Sequence, residues 1–117
     1  MSWFDPYTPY IPKTTGEVND LLGWMMLYSP TFTDKLGYFP EQNIDTEFFA
    51  LKEGLKNVRK KLGEDAYLRA VEMADQMRVH FEADPEDKTD DSLVGRDLIL
   101  AMEDILRASN DRKRKSA

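Results

Sequence analysis

Cysteine is absent from this chain of 117 residues, which removes a disulfide framework, a zinc-ribbon ligand set and a thiol nucleophile together. Histidine occurs once, at His80, so neither an HExxH nor an ExxH pairing exists to build a familiar metal site. Glycine stands singly at 16, 23, 37, 54, 63 and 95, whereas a backbone cradle for phosphate needs glycines close together. Serine and threonine sit where helix caps are expected, with no GxSxG turn to present a nucleophile. The longest apolar run is five residues, Trp24 to Tyr28, against the ~20 that cross a bilayer. The opening residues carry neither the basic nor the apolar segment of a secretion signal. The expectations are a cytoplasmic protein with no membrane partner, no cofactor, no bound metal and no catalytic residues.

What is present fits one folded unit. With 41% hydrophobic and 32% charged residues, there is enough apolar side chain to offset chain entropy in a single domain. The net charge of −6 hides an asymmetry. Residues 1 to 110 hold 12 Lys and Arg against 21 Asp and Glu, a balance of −9, and the last seven residues add a balance of +3. An acidic body with a basic tail disfavours nucleic acid as a partner, because phosphate affinity needs cationic patches.

Helical periodicity organises the middle of the chain. Ile44, Phe48, Leu51, Leu55, Val58 and Leu62 fall within about 80° of one another on a helical projection, with Lys52, Lys56, Arg59 and Lys60 beside them. After Gly63, the residues Tyr67, Ala70, Val71, Ala74, Met77 and Phe81 repeat the pattern over about 120°. Two amphipathic helices joined at Gly63 predict an antiparallel hairpin, the first of them capped by Asp45 or Thr46. Upstream, Thr14 and Glu17 have the spacing of a capping box, opening a helix to about Tyr28 that buries Val18, Leu21, Leu22, Met25 and Tyr28. Ser29 and Pro30 predict the start of a short helix from Pro30 to Leu36, stopped by Gly37 and followed by the apolar link Tyr38-Phe39-Pro40. A last helix is expected from Ser92 to Ala108 with Val94, Leu98, Ala101, Met102 and Ile105 inward, widened by Ile99 and Leu106. The fold class is all-α: a bundle of about four or five helices around the central hairpin. It comprises an extended Pro/aromatic arm over residues 1–13, a helical domain over 14–108 and a flexible basic tail over 109–117.

Three constellations carry functional expectations. Prolines at 6, 9 and 12 alternate with Phe4, Tyr7 and Tyr10, a period that suits polyproline II. The arm either packs across its own helices or grips a second subunit. Trp24, Met26, Leu27, Leu93 and Leu100 fall outside the single-sided stripes, and together with Phe4, Tyr7 and Tyr10 they are the candidate interface of a homodimer. The run from Glu82 to Asp91 holds six acids against one lysine. Its order lacks the alternating ligands and central glycine of a calcium loop.

Glu72-Met73-Ala74-Asp75 resembles the second carboxylate pair of small all-helical nucleotide pyrophosphohydrolases of the MazG type. That resemblance implies magnesium held by carboxylates from two helices. The preceding helix departs from the pattern, offering only Glu47 and Glu53, six residues apart and on different sides. The primary expectation is therefore a non-enzymatic protein-binding module, an acidic inhibitor or immunity-type protein covering a basic protein partner through Glu82, Asp84, Glu86, Asp87, Asp90 and Asp91. A homodimeric structural or regulatory protein and the magnesium-dependent hydrolase are the alternatives.

Overall fold

Five helices account for the regular structure in the computed structural model, which describes residues 9–33 and 41–116, the last seven by backbone alone. They are α1 (Thr15–Tyr28), α2 (Ile44–Asn57), α3 (Arg59–Leu62), α4 (Glu64–Ala83) and α5 (Asp90–Ser116). The most extensive helix pair is α4 against α5, followed by α2 against α4, while α1 closes the bundle by touching both α2 and α5. The hairpin read from residues 44 to 81 is present, but the pair that follows it, α4 and α5, packs more extensively.

Local chemistry explains the helix starts. Thr14 is the N-cap of α1, its hydroxyl accepting from the Glu17 N–H at 3.1 Å. The Glu17 carboxylate reaches back one residue further than a capping box requires, accepting from the Lys13 N–H at 2.8 Å. For α2 the cap is Asn43, not Asp45 or Thr46. Its Oδ1 accepts from the Thr46 N–H and the Thr46 hydroxyl accepts from the Asn43 N–H, so Thr46 closes the box from inside the first turn. The stretch predicted as one helix to Leu62 breaks at Val58, which stays 4% exposed while its N–H donates to both the Gly54 and the Leu55 carbonyls. Gly63, at φ 87°, takes the left-handed turn that lets α4 start at once.

Ser29 terminates α1 instead of opening another helix, and residues 29–31 form a turn. Of the predicted Pro30–Leu36 helix, Pro30 and Thr31 lie in that turn and Phe32 and Thr33 follow without helix. Its remainder, the Gly37 stop and the Tyr38-Phe39-Pro40 link lie outside the described residues. The turn aims Phe32 into the core at 0% exposure with a positive φ of 62°. The Phe32 N–H donates to the Tyr28 carbonyl at 2.8 Å, and Gln42 donates to the Phe32 carbonyl at 3.3 Å.

The core follows the predicted stripes on α1, α2 and α4. Val18, Leu22 and Met25, then Leu51 and Leu55, then Ala70, Ala74, Met77 and Phe81 are all at 0% exposure. On α5 the buried face is Ser92, Gly95, Ile99, Met102, Leu106 and Ser109. Val94, expected inward, is 39% exposed. The rotation comes from Gly95: a Cβ there would lie 2.6 Å from the Phe81 ring, so the bare backbone is the seat of that ring. Helix α5 also starts before Ser92 and its backbone runs on to Ser116, across the segment expected as a tail. Ser109, 3% exposed, donates to the Lys61 carbonyl at 3.0 Å and ties that stretch to α3. At the other end, Pro9 and Pro12 of the arm are buried.

Two glycines inside helices give opposite expectations. Gly95→Ala meets a ring already held by Phe32 and is expected to destabilise by about 1–3 kcal/mol, as overpacking does. Gly23→Ala meets nothing within 4 Å and should stabilise by about 0.5–1 kcal/mol through helix propensity. Leu55→Ala, at a fully buried position, is expected to lose on the order of 2–5 kcal/mol. Thermal and urea melts of the three variants check the assignment; a Gly95→Ala protein as stable as its parent would contradict the close approach of α4 and α5.

Candidate functional site

The acidic segment is built around its own carboxylates. Asp84 ends α4 and is 3% exposed. Its carboxylate accepts from the N–H groups of Lys88 at 2.7 Å, Thr89 at 3.1 Å and Ser92 at 3.2 Å, and the Ser92 hydroxyl donates to its carbonyl. Burial pushes the Asp84 carboxyl up, yet these donors outweigh it and hold the group well below the usual carboxylate range. Asp84 therefore faces inward as the organiser of the loop, not outward as a partner contact.

The neighbouring acids are mostly engaged within the chain. Asp87 takes two hydrogen bonds from Arg96, at 3.2 and 2.8 Å, and Arg96 also donates to Ser29 at 2.8 Å, joining the loop to the end of α1. Asp91 contacts His80 Nδ1 at 2.8 Å, so the single histidine meets the start of α5. Glu82 accepts from Arg78 at 3.2 Å, and Glu86 lies 3.5 Å from Lys88. Asp90, exposed at the N-terminus of α5, has no ion pair among the described residues.

The dimer candidates divide. Leu27, Leu93 and Leu100 are 79%, 55% and 50% exposed. Trp24 and Met26 pack partly against the core, and Trp24 stacks on Tyr28 with centroids 4.2 Å apart. Phe4 and Tyr7 lie outside the described residues. The carboxylates of the pyrophosphohydrolase comparison do not converge: Glu72 and Asp75 are exposed on α4, Asp75 pairs with Lys52 and Glu53 with Lys56, while Glu47 is buried elsewhere on α2. Among the described residues no group of three or more His, Asp or Glu side chains is placed to hold a metal ion.

Two concavities flank α2. The first, about 470 Å³ between α2 and α4, has Phe48, Tyr67 and Val71 in its wall. It is crossed by the ion pairs Lys52–Asp75 and Arg78–Asp45. Its other two charged groups, Glu53 and Lys56, pair with each other along α2.

The second, about 380 Å³, lies between the arm and helices α1 and α2. Here the arm is clamped: Asn57 donates to the Pro12 carbonyl at 2.8 Å, the Pro12 ring sits where a Gly54 Cβ would be at 3.0 Å, and the Tyr10 hydroxyl donates to Glu17 at 2.9 Å. Glu47, Ala50 and Gly54 form a second buried face on α2 beside the predicted stripe. Their sequence signal is a pair of small residues at i+3 and i+7 from a glutamate, a seat for a proline-rich segment.

Glu47 is 4% exposed, lines this pocket, and makes no hydrogen bond or ion pair among the described residues. Desolvation pushes its carboxyl up to about 7. Glu17, on the rim, goes the other way, held down by the Lys13 N–H and then by the Tyr10 hydroxyl.

The Glu47 shift fixes a pH dependence. The folded state holds the proton more tightly than the unfolded chain, whose carboxyl has the ordinary value of 4.5. This contribution to stability is therefore present below that value and lost as pH rises through about 7. The lowered groups Glu17, Glu64 and Asp84 act only below their ordinary values and leave the window between clear. Glu47→Gln is expected to match the parent near the acid end of the window and to exceed it at alkaline pH by on the order of 2–3 kcal/mol. Urea melts across the range measure this, and a difference independent of pH would show the carboxyl to be solvated. Comparison with known proteins returns no family, no curated protein and no solved structure that matches this chain.

Proposed function

We propose that this protein is a non-enzymatic binding module that docks a basic protein, in the manner of small acidic inhibitors and immunity-type proteins. The observation that carries this reading is the imbalance left after internal pairing. Lys52, Lys56, Arg59, Arg78, Lys88, Arg96 and Arg107 are all in ion pairs with acids of the same chain. Among the described residues Asp20, Glu41, Asp65, Glu72, Asp90, Asp97 and Glu103 have no ion pair, against the cations Lys13, Lys60, Lys61 and Arg69, and the balance over residues 1 to 110 is −9. More acids than cations are left without an internal partner, so the field at the surface is negative and complements a cationic partner.

The face on which the partner docks differs from the sequence expectation. Because Glu82, Asp84, Asp87 and Asp91 already hold donors within the chain and Glu86 lies near Lys88, the loop presents chiefly Asp90. The pocket beneath the arm, where Glu17, Asp20 and Glu47 gather, is the denser acidic feature with an apolar wall. Screening over about 8 Å at physiological salt places the effect mainly on association rate. Affinity capture from the source cell is expected to retain a basic protein at low salt and to lose it progressively as salt rises. If no partner shows that dependence, the surface charge serves solubility alone and the reading falls.

Homodimerisation is a second reading, favoured by Leu93 and Leu100, which lie one heptad apart on the outer line of α5, and by the exposed Leu27. Light scattering at tens of micromolar should then give twice the chain mass, and Leu93→Glu with Leu100→Glu should return the monomer. A strict monomer in the parent protein would remove this reading.

A further inference from the structure

A carboxylate that is nearly fully buried is ordinarily met by a donor. Asp84 obeys that rule with three N–H groups. Glu47 draws on no such donor: it is 4% exposed, makes no hydrogen bond or ion pair among the described residues, and lines the cavity of about 380 Å³ under the arm, through which its carboxyl oxygens keep contact with solvent. The cavity is the place from which a donor would reach it.

The walls define the donor's chemistry. Pro9, Pro12 and Leu21 supply apolar surface and Trp24 and Tyr10 supply aromatic rings. Trp24 is held in place by its stack on Tyr28, at 4.2 Å and 22°. Glu17 and Asp20 are the other charged groups lining the cavity, both acidic. Glu17 is already engaged by the Tyr10 hydroxyl and the Lys13 N–H, so it shapes the rim, while Glu47 keeps its acceptors unused. No cation lines the cavity among the described residues. Aliphatic walls, aromatic faces and carboxylates in one concavity match a group with an apolar stem and a positive head.

We propose that this pocket binds the side chain of a lysine or arginine from the basic partner, with the aliphatic stem against Pro9, Pro12 and Trp24 and the cationic head on the Glu47 carboxylate. The inference rests on the basic-partner reading and gives that partner its anchoring residue. No covalent step is involved. Only a proton moves: binding requires Glu47 to be ionised, so the group that is neutral in the empty pocket below pH about 7 loses its proton as the cation enters.

N-acetyl-lysine methylamide and N-acetyl-arginine methylamide serve as probes, with the uncharged norleucine analogue as control, read by the shift of the Trp24 indole resonance. At least one cationic probe is expected to bind at least about tenfold more tightly than norleucine, as an ion-paired head adds to a shared stem. Its affinity should rise about tenfold between pH about 6 and pH about 8, following ionisation of Glu47. Glu47→Gln, whose folding is checked by its melt, should remove both the preference and the pH dependence, and Asp20→Asn should leave the pH dependence in place. Equal binding of all three probes, or a pH response that survives Glu47→Gln, would overturn the assignment. The probes need no protein partner, so failure here leaves the salt-sensitive capture of a basic protein standing, while failure of that capture leaves these titrations unaffected.

Discussion

The fold depends on one close approach, the ring of Phe81 packed against the backbone of Gly95. Any side chain at position 95 would enter the ring's volume, so α5 can draw near α4 only because that position is bare. Phe81 then becomes the floor on which Phe32 stands, edge to face at 5.2 Å, and Phe32 meets Phe48 in the same geometry at 5.5 Å. These edge-to-face contacts set positive ring edges against negative faces and add to the burial of three large side chains. Elements from both ends of the chain meet there: the turn after α1, the first turns of α2, and the α4–α5 pair. The positive φ of Phe32 is tolerated because its ring, its N–H and its carbonyl are all held at once.

Charge in this protein has two uses that the composition alone does not separate. In the segment between α4 and α5, acids replace the backbone partners that a sharp connection lacks. Asp84 caps three N–H groups and Asp87 holds Arg96, which carries the tie across to Ser29. A dense run of acids is stable there because its members are matched to donors or to cations. Elsewhere Asp45, Glu53, Glu64, Asp75 and Asp104 are paired with cations, while Asp20, Asp65, Asp97 and Glu103 have no ion pair among the described residues and contribute to the negative field at the surface.

The arm and α2 together make something that neither contains. Pro12 fills the space over Gly54, and in doing so closes one side of a hollow whose other walls are α1 and the start of α2. Glu47 is thereby largely desolvated, which raises its proton affinity, while its carboxyl oxygens keep only the solvent of the hollow. The hollow is held by hydrogen bonds at Asn57 and Glu17, and Glu47 on its wall has no hydrogen bond or ion pair among the described residues.

Much of the architecture was written locally. The apolar periods of α1, α2 and α4, the Thr14 cap and the Gly63 turn follow from rules that operate within one or two helical turns, and those rules are carried by the residues themselves. Three features were decided only by tertiary contact. The burial face of α5 follows Gly95 in place of Val94, because a periodicity count weighs apolar side chains and gives no weight to the absence of one. The hollow lined by Glu47 also takes Pro12, which arrives from 35 residues earlier in the chain, a distance over which no local pattern operates. Asp84 and Asp90 are alike in the sequence, yet one is enclosed by the returning backbone of Lys88, Thr89 and Ser92 and the other is left in water. Side-chain chemistry determined by itself which segments coil and how much surface they must hide. Which face meets which neighbour, and which carboxylate loses its water, depended on excluded volume and desolvation between parts of the chain that meet only after it has folded.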